Sequence, residues 1–304
     1  MPSRLEEGQI LGSLLGLAVG DALGAPFEGC APQLASQAVA DGRVNMSGGH
    51  GWEAGEWTDD TAMALLLAES IAERGLLDTA DLAHRYIEWA NGNPRGIGAI
   101  TRAALSGAKD EADTRAKAKA AHERSGLTAG NGTVMRATPI GLAASSKEEA
   151  LEAARQDATL THFDSAAGCA SAALCVALQA IGEGSDPIAA AATQIEDHPK
   201  LGLVIEAVQQ GHEEPIHTVA GSPEAGTAWA TLGVALFALT KFDSFEPGVI
   251  WAVGLGGDTD TNAAVTGAVL GCKLGLGSIP DAWLAPLRER ERIERAARGL
   301  AKRT

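Results

Sequence analysis

The 304-residue sequence predicts an all-α protein, a multi-helix bundle in a single domain spanning residues 1–304. Three observations predict it. Apolar residues recur with helical period, and several of these runs begin at a cap-forming residue. No stretch alternates apolar and polar residues as a half-buried strand would. Two segments place small residues at every fourth position: Gly12, Gly16, Gly20 and Gly24, then Ala263, Gly267, Gly271 and Gly275. A glycine inside a helix costs about 1 kcal/mol against alanine. Spacing of four puts these residues on one stripe, where a neighbouring backbone can come very close. Both segments are therefore expected to be central helices in close contact with others.

The elements follow in order. Leu5 to Leu23 reads as a helix with an apolar face. Thr58 to Ala72 follows the glycine-rich, turn-like stretch "SGGHGWEAGE". Thr79 to Ala90 is amphipathic, and Ser146 with Glu149 forms a capping box for Lys147 to Gln156. His162 to Ile181 is a long Ala/Leu helix. Asp186-Pro187 starts another helix, and Ser222-Pro223 starts one reaching about Leu239. The chain closes on a charged helix, Trp283 to Ala301, whose mixed charges suggest a solvated face.

Composition narrows the function. Hydrophobic residues make up 45% and charged residues 21%, a soluble globular balance. The formal net charge of -15 argues against diffuse binding to nucleic acid or an anionic membrane. It also requires any anionic ligand to be held by metal ions, backbone N–H groups or a local basic spot. Cys30, Cys169, Cys175 and Cys272 lie far apart without a C-x-x-C pair, so four thiols in a reducing cytoplasm are expected. The start "MPSRLEEGQI" lacks a signal-peptide pattern. The apolar run Ile10 to Gly20 is interrupted by Asp21 and reads as too short to span a bilayer.

Two acidic clusters carry the chemistry. Thr58, Asp59 and Asp60 precede an apolar helix, and Asp258, Asp260 and Thr261 open the second small-residue helix. Either cluster alone is explained by capping, since Thr and Asp accept backbone N–H bonds at a helix start. Two such clusters change the reading. Carboxylate and hydroxyl oxygens are hard ligands suited to magnesium, manganese or calcium. No Cys/His set has zinc spacing. If the clusters meet, four carboxylates repel one another strongly, and two divalent ions would balance them. Elsewhere, "GNGTVMR" is a glycine-rich turn whose N–H groups could cradle a pyrophosphate.

Four motifs together resemble the ADP-ribosylglycohydrolase family, which includes the dinitrogenase-reductase-activating glycohydrolases. They are "GLAVGDALGAPFEG" (16–29), "GEWTDDTAMAL" (55–65), "GNGTVMRATPIGL" (130–142) and "AVGLGGDTDTNAAVTGAVLG" (252–271). They fall in the family's order and span most of the chain. The resemblance implies an orthogonal multi-helix bundle with a two-metal centre of Mg2+ or Mn2+. It implies Thr58, Asp59, Asp60, Asp258, Asp260 and Thr261 as metal ligands. Glu28 becomes a mobile ligand or general base, acting with Asp59, Asp60 and Asp258 in catalysis. Gly130, Asn131, Gly132, Thr133, Met135, Arg136 and His162, together with Asp59, become ADP-ribose contacts. The implied activity is release of ADP-ribose from ADP-ribosylated protein, arginine linkage first and serine second. Hydrolysis of small phosphate or acyl adducts, or non-catalytic ADP-ribose binding, are the alternatives. One departure stands out. Arginine-acting relatives often carry an aspartate before the Ile-Gly pair, where this chain has Gly96.

Overall fold

A computed structural model describes residues 5–75, 77–126, 128–195 and 198–303. Among them are 17 α-helices and no strand. The first third holds α1 (Glu7–Gly24), α2 (Pro32–Ala40), α3 (Asp59–Arg74), α4 (Thr79–Asn91), α5 (Ala99–Leu105) and α6 (Glu111–Ser125). The middle holds α7 (Thr138–Ala143), α8 (Lys147–Ala158), α9 (Ser165–Glu183), α10 (Pro187–Ala192), α11 (Pro199–Gln210) and α12 (Glu213–Ala220). The last part holds α13 (Ala228–Lys241), α14 (Phe245–Gly254), α15 (Thr259–Leu274), α16 (Asp281–Leu284) and α17 (Arg290–Ala301).

The two small-residue stripes meet each other. A methyl group on Gly12 would lie 2.4 Å from the Gly271 carbonyl oxygen, on Gly16 2.3 Å from that of Gly267, and on Gly20 2.0 Å from that of Ala263. At the end of the row, one on Gly24 would lie 2.3 Å from the Thr259 carbonyl oxygen. One position rises as the other falls, so α1 and α15 run antiparallel with their backbones in contact. Polar side chains stitch the seam: Ser13 Oγ donates to the Ala268 carbonyl at 2.9 Å and Thr259 Oγ1 to that of Gly24 at 2.9 Å. Apolar residues wrap the pair, among them Leu15, Val19 and Leu23 of α1 and Val265, Val269 and Leu270 of α15, all fully buried. Helices α13 and α14 flank α15, α9 packs behind α13, and α3 and α17 cover α1.

Helix α1 and the turn after it are longer than the apolar run suggested: Glu7–Phe27 has the length and hydropathy of a membrane span, yet that window is wholly buried inside the protein. Helix α1 is therefore packed along its length against protein, with α15 on its glycine stripe.

Three helix boundaries differ from the sequence reading. His162 lies before α9, which starts at Ser165 with Asp164 capping the Ala166 N–H. Ser222-Pro223 opens only a turn, and α13 starts at Ala228. The reason is a backbone tie: Asn131 N–H donates to Gly226 O at 3.1 Å and Ala228 N–H to Ala129 O at 2.9 Å, which holds the intervening residues extended. The C-terminal stretch breaks in two. Pro286 cannot donate to a continuing helix, Arg288 N–H is drawn to Gly55 O at 3.0 Å, and Glu289 adopts φ 52° before α17 begins. The charges of α17 are also engaged. Arg292 forks onto Glu69 of α3 at 2.7 and 2.9 Å, and Arg298 reaches Glu7 of α1.

The seam makes a sharp prediction. Gly16→Ala should destabilise the fold by about 1–3 kcal/mol, the usual penalty for overpacking. Gly8→Ala, on the same helix with nothing within 4 Å of the added methyl, should be neutral or stabilising. Chemical denaturation of the two variants compares them directly; equal stability would place the stripe off the contact.

Candidate active site

The antiparallel seam brings the end of α1 against the start of α15, and Asp21 extends that junction to α3. Asp21 is completely buried. Its carboxylate accepts the Thr58 N–H at 3.0 Å, the Thr61 N–H at 3.0 Å and the Thr61 hydroxyl at 2.6 Å. It thus ties α1 to the first turn of α3. Burial raises its pKa to about 6, and these same hydrogen bonds oppose the rise.

Two helix starts now face one another. Thr58 caps α3, accepting the Asp60 N–H while its hydroxyl donates to Asp60 Oδ2 at 3.1 Å. On the α15 side, Gly256 and Gly257 have φ of 73° and 70°, a left-handed turn open to glycine, and then Asp258 enters the helix. Gly29 N–H donates to Gly257 O at 2.8 Å and Gly257 N–H returns to Cys30 O at 2.9 Å. That pairing sets Glu28, at the rim, beside Asp258. The carboxylate of Asp258 accepts the Asn131 side-chain amide at 2.9 Å. The same Asn131 amide donates to Thr231, whose hydroxyl donates to Asn262.

A cavity of about 250 Å³ opens between these elements. Glu28, Asp59, Asp60, Asp258, Asp260 and Thr261 line one side, and no lysine or arginine lines any of it. The charges are uncompensated. Burial pushes the Asp60 carboxyl well up, and Asp21, Asp59 and Asp258 push it further. Burial and then Asp258 and Asp60 raise Asp260, while burial and then Asp21 bring Asp59 to about 7. Partial desolvation, then Asp258 and Asp21, raise Glu28. Asp60 Oδ1 is buried with no hydrogen-bond partner. Among the described residues, no three His, Cys, Asp or Glu side chains enclose an ion by themselves. The donor set still fits hard cations: carboxylates beside a threonine hydroxyl, an orphaned buried oxygen, and no basic side chain to neutralise them.

The opposite wall is built from Gly98, Ile100, Thr101, Gly130, Asn131, Gly132, Met135, His162 and Gly226. The glycines make room for a ring: methyl groups on Gly130 and Gly132 would sit 3.1 Å from His162 Nε2 and 2.9 Å from its Cε1. Eleven of the fourteen residues singled out from the sequence thus line the cavity, and three do not. Thr58 stands behind Asp60. Thr133 is fully buried, its hydroxyl donating to Ala167 O at 3.0 Å. Arg136 is also fully buried, and corrects the expectation of a direct ligand contact: its guanidinium binds Asp157 and Thr161 instead. The sequence reading does not single out Asp21, nor the wall residues Gly98, Ala99, Ile100, Thr101 and Gly226. Asp21 shows only as one acid inside an apolar helix, and its partners lie 37 to 40 residues on. Gly96 lines the cavity at φ 87°, and a Cβ there would lie 2.8 Å from Asp59 Oδ1. An aspartate at that position would be strained and would crowd Asp59.

Fold and site together define an all-α bundle whose cavity sets an acidic wall across from a glycine turn. The ADP-ribosylglycohydrolase family model matches residues 1–304, so the chain belongs to that family and is a hydrolase of ADP-ribosyl glycosidic bonds. It is 32% identical over 283 residues to the ADP-ribosyl-[dinitrogen reductase] glycohydrolase of Rhodospirillum rubrum, covering 91% of this chain and 89% of that one. It is 30% identical over 304 residues to an ADP-ribosylarginine hydrolase of Serratia proteamaculans, covering 95% and 78%. A solved ADP-ribosylglycohydrolase-related protein complex superposes with a TM-score of 0.76 at 34% identity, covering 98% of both chains.

Like charges crowd the cavity, so removing one relieves repulsion. In metal-free protein at pH 8, Asp60→Asn should melt at the wild-type temperature or a few degrees higher, about 1 kcal/mol being worth roughly 2–4 °C in a large domain. Thermal unfolding under chelation measures it, and a clearly lower melting temperature would make Asp60 a structural cap.

Proposed function

We propose that this protein releases ADP-ribose from ADP-ribosylated protein, with arginine-linked acceptors first and serine-linked second, using two divalent cations, Mg2+ or Mn2+. The observation that carries the reading is the unpartnered Asp60 Oδ1 among the acids of two facing helix starts, with no basic residue on the cavity wall. Asp59, Asp60, Asp258, Asp260 and Thr261 would hold the ions, and Thr58 would join them by turning its hydroxyl from Asp60. When bound, such ions supply positive charge that orients ribose hydroxyls and lowers the pKa of water.

The chain's own groups do the rest. ADP-ribose enters an acidic protein, so its pyrophosphate needs neutral donors, and the Gly130–Gly132 turn with His162 supports that role. Cleavage breaks the bond from C1″ to the acceptor nitrogen or oxygen through an oxocarbenium-like state. The oxygen of water joins C1″, and the acceptor leaves with a proton. Glu28, at the rim beside Asp258 with a raised pKa, is suited to move that proton or to pair with a guanidinium. This puts the arginine preference on Glu28, because Gly96 offers no charge. A reducing cytoplasmic setting is part of this reading, and Cys30, Cys169, Cys175 and Cys272 lie outside any disulfide.

Arginine-, serine- and DNA-linked ADP-ribose substrates with magnesium or manganese test the proposal by free ADP-ribose released. Release from protein adducts that stops under chelation is expected. Release of phosphate from ADP-ribose 1″-phosphate with no cleavage of protein adducts would establish the small-adduct alternative, and full turnover after verified metal removal would overturn the metal assignment. Glu28→Gln should lower turnover on arginine adducts by roughly one to two orders of magnitude, the value of a charge-assisted pair. Binding of free ADP-ribose should hardly change, and an equal loss on serine adducts would remove the case for arginine.

A further inference from the structure

Among the described residues Arg136 is the largest fully buried side chain. Its Nε donates to Asp157 Oδ2 at 2.9 Å and its Nη2 to the Asp157 carbonyl at 2.9 Å. The Tyr86 ring lies 4.9 Å beneath the guanidinium, and the Tyr86 hydroxyl is 3.3 Å from Asp157 Oδ1. The remaining nitrogen, Nη1, donates to Thr161 Oγ1 at 2.8 Å. Thr161 Oγ1 in turn lies 2.8 Å from His162 Nδ1.

The direction of each bond follows from donor chemistry. A guanidinium only donates, so Thr161 Oγ1 accepts from it. Thr161 has one hydroxyl hydrogen and is fully buried. Among the described residues its only other hydrogen-bond partner is His162 Nδ1. A buried hydroxyl without an acceptor is costly, so Thr161 donates to Nδ1. An accepting Nδ1 carries no hydrogen. The single hydrogen of the neutral ring is then on Nε2, the atom that sits beside the Gly130–Gly132 turn in the same cavity wall.

We propose that the Arg136–Thr161 relay locks His162 in the Nε2–H tautomer, so that it presents one uncharged donor to an acceptor oxygen of the bound ligand. Arg136 and Thr161 are positioning residues that act through His162. Burial and the Arg136 charge support the neutral form, holding the His162 pKa down at about 3. The relay explains why an arginine of the glycine-turn motif points away from the pocket: it sets the tautomer of the ring that the turn encloses. The ligand's identity as ADP-ribose rests on the proposed function, whereas the tautomer does not.

Nitrogen-15 NMR of histidine-labelled full-length protein, without ligand at pH 7, reads the tautomer directly, with His162→Gln identifying the signal. A pyridine-like Nδ1 and a pyrrole-like Nε2 are expected. A protonated Nδ1, alone or in an imidazolium, would overturn the relay. Thr161→Val should lose the fixed tautomer and weaken binding of free ADP-ribose roughly three- to tenfold, the worth of about one hydrogen bond. Thr161→Ser, which keeps the hydroxyl, should restore both. An unchanged tautomer in Thr161→Val would also overturn the relay, even if that variant melts early. Wild-type protein with the expected tautomer but no affinity for ADP-ribose would overturn the functional reading and leave the relay standing.

Discussion

Everything at the site depends on two helix backbones touching without side chains between them. Gly12, Gly16, Gly20 and Gly24 lie directly on the carbonyls of Gly271, Gly267, Ala263 and Thr259. Interior glycines weaken an isolated helix by about 1 kcal/mol each, so this pair forms only because packing compensates. Fully buried apolar residues on α1 and α15 surround the seam, and buried hydroxyls of Ser13 and Thr259 bond across it. The contact fixes where α1 ends relative to where α15 begins. Asp21, one turn from that end, then captures the start of α3. The acidic wall is a consequence of the seam.

The protein treats its buried charges in two ways. Arg136 and Asp157, both fully buried, are paired at 2.9 Å and satisfied by further partners. That is the arrangement a buried ion pair needs. Asp59, Asp60 and Asp260 are also buried, yet line the cavity with no basic partner on the wall. The contrast between one fully satisfied buried charge and three carboxyls facing a cavity without a basic partner is what supports the proposed cation site. On the far wall, neutral donors and glycine backbone suit an anion that a protein of net charge -15 would otherwise repel.

The legible features are those whose partners are close in sequence or periodic. The glycine stripes were readable because spacing of four can mean only one helix face. The acidic clusters were readable because Asp59-Asp60 and Asp258-x-Asp260 are local and sit at helix starts. Long-range partners were not readable. Asp21 gains its meaning from Thr58 and Thr61, and the start of α13 from a backbone tie to Ala129 and Asn131. The family resemblance places Arg136 with Gly130–Gly132 as a ligand contact, but a shared motif does not fix where a side chain points. In the folded chain those glycines line the cavity while Arg136 turns inward to Asp157. The charged face of the C-terminal helix is solvated at Glu291, Arg295 and Arg298, as its sequence suggests, but its ion pairs to Glu69 and Glu7 were not readable because those partners lie far away in the chain.

The central claim is that the seam assembles a cation site from two helix starts. Crystals grown with saturating manganese, measured for anomalous scattering, address it most directly. The account predicts two manganese peaks bounded by Asp59 and Asp60 on one side and Asp258, Asp260 and Thr261 on the other. An acidic wall free of manganese under those conditions would contradict it.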